Sequence, residues 1–221
     1  MTPLLHSQLK FWCLLLPACS NRISIPDLER GPPAWAVDFF TDAAGGTLRV
    51  RGHGLGGVGP GWWAYTPWSR YINSGKRDGR GRKFSQKLSL LELLGPLLVV
   101  AAGASLCRDQ DVRVWVDNIG AVHIYRKGYC TNCSITSTVA RAINVVAAGL
   151  GCRLYVVKIT RCSNRPAVMA DALSKAAFKL FANLWDGPLP DAAPVPRSLL
   201  SWLQRPVADA ELGDRILAEI I

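Results

Sequence analysis

The sequence predicts an α/β domain on a mixed five-stranded sheet, in which a three-strand antiparallel meander precedes alternating helices and strands. Two patterns carry this. Between residues 35 and 68, three short runs rich in aromatic and β-branched residues are separated by glycine-rich turns, the pattern of hairpin-connected strands. Between residues 88 and 184, long apolar stretches alternate with the β-branched runs 112–116 and 153–159, which gives helices crossing between strands. Bulk composition agrees: 221 residues, 49% hydrophobic and 19% charged, suit one core of about 150 residues with flanking pieces.

Residues 1–34 read as an amphipathic helix and a linker. Leu4, Leu5, Leu9, Trp12 and Leu16 suit one helix face. The run from Phe11 to Cys19 (FWCLLLPAC) after Lys10 also mimics a short secretory signal, with Cys19 where a lipoprotein would be anchored. The thin positive region and Pro17 favour a packing helix instead. No apolar run reaches the roughly 18 residues of a membrane span, and seven cysteines make an odd, sparse set that fits a reducing compartment better than a disulfide framework. An intracellular location, cytoplasmic or nuclear, is expected. Cys130 and Cys133 have a zinc-like spacing, but no second pair or nearby His completes a site.

Residues 35–41 (WAVDFFT) form the first strand, closing at Asp42 before the turn-forming Ala43-Ala44-Gly45-Gly46. The second and third strands fall within 47–58 and 62–68, with glycines that leave their register open. Residues 88–106 (LSLLELLGPLLVVAAGASL) are apolar nearly all round, a buried helix kinked or split by Pro96 in which Glu92 is the one charge. Residues 112–116 (VRVWV) make a strand ending at Asp117-Asn118. Helical runs to Tyr125 and over 134–148 follow, then a strand at 153–159 (RLYVVKI) and a last amphipathic helix at 168–184. The main domain thus spans 35–185. Residues 186–221, with prolines at 188, 190, 194 and 196, read as a Pro-rich linker and short C-terminal helices.

Lys and Arg exceed Asp and Glu by 26 to 16, a net charge of +10, which attracts a polyanion over long range. The excess is concentrated in 70–87 (RYINSGKRDGRGRKFSQK), where seven basic residues meet one Asp and three glycines. Arg77, Arg80, Arg82 and Lys83 are the candidates for phosphate contacts.

The acids are sparse and oddly placed. A lone Glu on a buried helix costs several kcal/mol as an ion unless a cation or hydrogen bonds compensate. Asp42 and Asp117 each close an apolar strand, so neighbouring strands would deliver both to the sheet end where ligands of open α/β sheets bind. Asp171, near the start of the last helix, completes a set of four. Each alone has an ordinary role, as turn residue, helix cap or first-turn acid. Together they suit two Mg2+ ions shared with a phosphate, Mn2+ being able to substitute, since hard cations prefer oxygen ligands.

These residues carry a resemblance. Thr41-Asp42-Ala43-Ala44, Leu90-Leu91-Glu92-Leu93, Val116-Asp117-Asn118 with Ala121-Val122, and Asn164 with Ala170-Asp171-Ala172-Leu173-Ser174-Lys175 together resemble the ribonuclease H domain of retroelement reverse transcriptases. The similarity is greatest to DIRS-type and gypsy-type elements and covers roughly residues 35–182, the last motif being the most specific. It implies a ribonuclease H-like sheet and Asp42, Glu92, Asp117 and Asp171 as the metal-binding catalytic acids. It also implies two-metal endonucleolytic cleavage of the RNA strand of RNA/DNA hybrids, and a polymerase domain of the same polyprotein as partner. No membrane partner is implied.

The chain departs from that family in one place. Many members carry a His in the loop before the last helix, whereas residues 159–166 (ITRCSNRP) have none, and His123 lies on another helix, where a packing role is expected. A catalytically inactive nucleic-acid-binding module on the same scaffold is therefore the alternative. An exported protein anchored through Cys19 is a third reading. No Tyr-x-Asp-Asp polymerase motif occurs.

Overall fold

A computed structural model describes residues 31–45, 53–73, 88–131, 133–160 and 164–221. The expected contacts of Arg77, Arg80, Arg82 and Lys83, and the reading of residues 1–30, fall outside these. The strands are β1 (Val37–Ala43), β2 (Gly54–Gly59), β3 (Trp62–Pro67), β4 (Asp111–Val116) and β5 (Arg153–Lys158). The helices are α1 (Arg70–Asn73), α2 (Leu88–Ala102), α3 (Ala104–Cys107), α4 (Ile119–Lys127), α5 (Ser134–Gly149), α6 (Arg165–Ser174), α7 (Phe178–Leu184), α8 (Arg197–Gln204) and α9 (Leu212–Ile220). Among the described residues no helix is long and apolar enough to cross a membrane.

The strands form one mixed sheet of order β3-β2-β1-β4-β5. The meander pairs antiparallel, with Asp42 opposite Gly56 and Val58 opposite Trp63, while β1, β4 and β5 run parallel. Four of the six residues of β2 are glycine, yet its register is fixed, because neighbours occupy the space their side chains would take. The Phe39 ring lies at Gly59 and the Trp62 ring at Gly57.

Two apolar layers cover the sheet. The larger joins α2, α4 and α5 to Phe39, Val112, Val114, Val116, Leu154 and Val156, all buried. On the other side, Met169, Ala170 and Leu173 of α6 and Phe181 of α7 close over Val58. Asp38 accepts hydrogen bonds from Arg113 Nε (2.5 Å) and Nη2 (2.8 Å) and from Trp115 Nε1 (2.7 Å), tying β1 to β4. Desolvation raises the Asp38 carboxyl, but the Arg113 and Trp115 hydrogen bonds and the Arg113 charge outweigh it and hold it below the ordinary value.

Two expectations are corrected. The buried helix is not split at Pro96; it runs through to Ala102, and residues 104–107 form the separate short helix α3. Pro96 lacks only the N–H that would have bonded the Glu92 carbonyl, and the surrounding apolar layer holds the rest of the helix together. The last helix is two, α6 and α7, because Ala176 takes a left-handed φ of 55°. Ala177 N–H bonds Ala172 O and Ala176 N–H bonds Leu173 O, both at 2.8 Å, a Schellman-type stop without glycine. The segment 186–221 forms short helices, α8 and α9, and packs on the domain: Leu199, Trp202, Leu203, Leu212 and Ile216 belong to the larger core, and Trp63 Nε1 donates to Pro190 O at 2.8 Å.

Candidate metal centre

Parallel register builds the centre. Val37 pairs with Val112 and Phe40 with Trp115, and the same offset carried two residues on sets Asp42 beside Asp117. Asp42 sits within β1, one residue before its end, and Asp117 follows the last residue of β4. Asn118, not Asp117, caps α4, its Oδ1 accepting from Ala121 N–H at 3.2 Å and from Ser89 Oγ at 3.1 Å. That leaves the Asp117 carboxylate out of the capping role.

Glu92 arrives from α2. This helix lies close on β1 at Gly95, where a Cβ would stand 2.2 Å from Thr41 Oγ1, and Glu92 is one turn earlier on the same helix. Asp42, Glu92 and Asp117 each present a carboxylate oxygen, and these lie within 4.8 Å of one another. Asp42 is 5% and Glu92 3% exposed. Glu92 Oε2 is buried without a hydrogen-bond partner.

Such a cluster cannot hold three negative charges unaided. Burial pushes Glu92 well above the ordinary carboxylate range, and the charges of Asp42 and Asp117 push it the same way. The Ala43 N–H bond opposes this, and a hydrogen bond with Asp117 favours the protonated form. Three converging carboxylates, one with an orphaned oxygen, form an all-oxygen donor set suited to a hard divalent cation. A cation would substitute for the proton that Glu92 otherwise keeps.

Asp171, expected near a helix start, lies in the second turn of α6. It lines the same small cleft as Asp42 and Asp117, walled by Phe40, Trp115 and Ile159, but stands outside the group of three. Its Oδ2 accepts from Lys175 Nζ at 2.7 Å, and its Oδ1 is buried without a hydrogen-bond partner. His123, expected to pack, is exposed on α4.

Three contributors were given no role by the sequence reading. Gly95 lets α2 reach β1. Gly56 does the same for α6 on the opposite side: a Cβ there would lie 2.5 Å from Leu173 Cβ and 2.9 Å from both Ala170 O and Ser174 N. Ser174, fully buried, donates from Oγ to Asp42 Oδ2. The signal for Ser174 was a hydroxyl three residues after Asp171 on an otherwise apolar helix face. Comparison with family models, curated proteins and solved structures finds no match to this chain.

Proposed function

We propose that the chain is a ribonuclease H-like endonuclease domain of a retroelement polyprotein, cleaving the RNA strand of RNA/DNA hybrids with two Mg2+ ions. The observation that carries this reading is the meeting of Asp42, Glu92 and Asp117, far apart in the chain, within 4.8 Å. The order β3-β2-β1-β4-β5, an antiparallel meander continued by parallel strands, is compatible with that fold. The net charge of +10 suits a nucleic-acid substrate.

Asp42, Glu92 and Asp117 are the residues that would hold the cations, with Asp171 on the cleft wall as the fourth carboxylate. When bound, such ions supply Lewis acidity toward phosphoryl oxygens and acidify water. The chain itself contributes preorganised acids: Ala43 N–H and Ser174 Oγ fix two of them, and the packed sheet end limits water. The Lys175 contact must release Asp171 if the fourth acid is to serve. A non-catalytic binding module is the outcome if it does not.

The test incubates labelled RNA/DNA hybrid with the protein and Mg2+ or Mn2+, beside Asp117→Asn. Wild type is expected to cut more than a hundredfold faster, about 3 kcal/mol of transition-state stabilisation. Equal rates would remove the enzymatic reading and leave the binding module.

A further inference from the structure

We propose that Ser174 is a positioning residue for the acid cluster: its buried hydroxyl holds one oxygen of Asp42, so that cation affinity depends on how α6 is seated against β2. This rests on the reading that Asp42, Glu92 and Asp117 hold a divalent cation.

Ser174 is 0% exposed and lies 132 residues from Asp42 in the chain. Its single hydroxyl proton has two acceptors in reach, Asp42 Oδ2 and the Asp171 carbonyl, the latter at 2.9 Å. The carboxylate is the stronger acceptor because the bond is charge-assisted. The Asp171 carbonyl also accepts from Lys175 N–H at 3.3 Å, so it stays satisfied when the hydroxyl turns toward Asp42. With Oδ2 held, the rotation of the Asp42 carboxylate is fixed.

The seat is set by Gly56. That residue pairs with Asp42 across the sheet, and the α6 backbone at Ala170 and Ser174 rests where a side chain on Gly56 would be. The helix carrying Asp171 is thus pinned to the strand carrying Asp42 by a glycine contact and a hydroxyl. The plain alternative is that Ser174 bonds back to the Asp171 carbonyl as helical serines often do, with no consequence for Asp42.

The full chain is compared as wild type, Ser174→Ala, Ser174→Cys and Asp117→Asn, with Mn2+ alone as probe in calorimetric titration. Cysteine keeps the bulk but is a weak donor, so it separates the hydrogen bond from packing. Both Ser174 variants are expected to bind Mn2+ roughly tenfold more weakly than wild type, with melting in chelator little changed. Their hybrid cleavage recovers toward wild type at saturating Mn2+. Wild-type affinity in Ser174→Ala, or in Ser174→Cys alone, overturns the proposal while leaving the cation reading intact. A wild type that binds Mn2+ no better than Asp117→Asn removes the cation reading, and this proposal with it.

Discussion

Gly95 of α2 and Thr41 of β1 touch so closely that a Cβ on Gly95 would lie 2.2 Å from Thr41 Oγ1 and 2.7 Å from Thr41 Cβ. No Thr41 rotamer relieves the second contact, since Cβ does not move with χ1. Gly95→Ala therefore lifts α2 from β1 and carries Glu92 away from Asp42. Overpacking of about 1–3 kcal/mol outweighs the roughly 1 kcal/mol of helix propensity gained. Denaturant melts are expected to show a net loss of up to about 2 kcal/mol, with Mn2+ no longer raising the melting temperature. An unchanged Mn2+ effect would mean that this contact does not place Glu92.

Glu92 also sets a pH dependence. Its folded-state carboxyl titrates well above the ordinary value of 4.5, so the folded state binds a proton more tightly than the unfolded chain. The stability this contributes is fully present below about 4.5 and is lost as pH rises through the raised folded value. In chelator, the wild-type melting temperature should fall as pH rises above about 4.5 more than that of Glu92→Gln, which carries no titrating carboxyl. Added Mg2+ should stabilise wild type increasingly as pH rises, because the cation replaces the departing proton. Parallel pH profiles for the two proteins would show that Glu92 does not keep its proton.

The sheet, the buried helix and the acids at strand ends were legible because each depends on local pattern. Alternation in VRVWV and the unbroken apolarity around Glu92 are properties of neighbouring residues. What was not legible depends on residues that meet only in the fold. Gly56 reads as a weak point in a strand, and Gly95 as one more small residue of an apolar helix, until the opposing element is known. The continuity of α2 through Pro96 and the interruption at Ala176 are tertiary outcomes that override propensity. The C-terminal prolines read as a linker, although the residues beyond them complete the core.

Ala176 holds a left-handed φ of 55°, a conformation that costs an L-residue roughly 1–2 kcal/mol and glycine nothing. Glycine gives back about 0.5–1 kcal/mol through greater unfolded-state freedom. Ala176→Gly is thus expected to stabilise the protein by about 0.5–1 kcal/mol in urea melts, without altering Mn2+ affinity. Destabilisation would mean that the Ala176 methyl makes packing contacts worth more than the strain.

Trp202 tests where the folding unit ends. Its ring is 4% exposed, its Nε1–H bonds Val207 O at 3.0 Å, and Leu199, Leu203, Leu212 and Ile216 join it in the larger core. Nearby, α9 rests on α5 so closely that a Cβ on Gly213 would stand 2.8 Å from Val145 Cβ. Trp202→Ala should cost about 3–5 kcal/mol by leaving a cavity. A chain cut after residue 185 loses all five side chains, each contributing about 1.5–3 kcal/mol, a sum comparable with the whole stability of a domain of this size. The truncated chain is expected to lack cooperative melting and to lose amide protection along α5 first, because α5 forms the surface that α9 covers. Retention of a cooperative transition within a few degrees of the full chain would instead make residues 186–221 an appendage, and the acid centre would then stand on the first 185 residues alone.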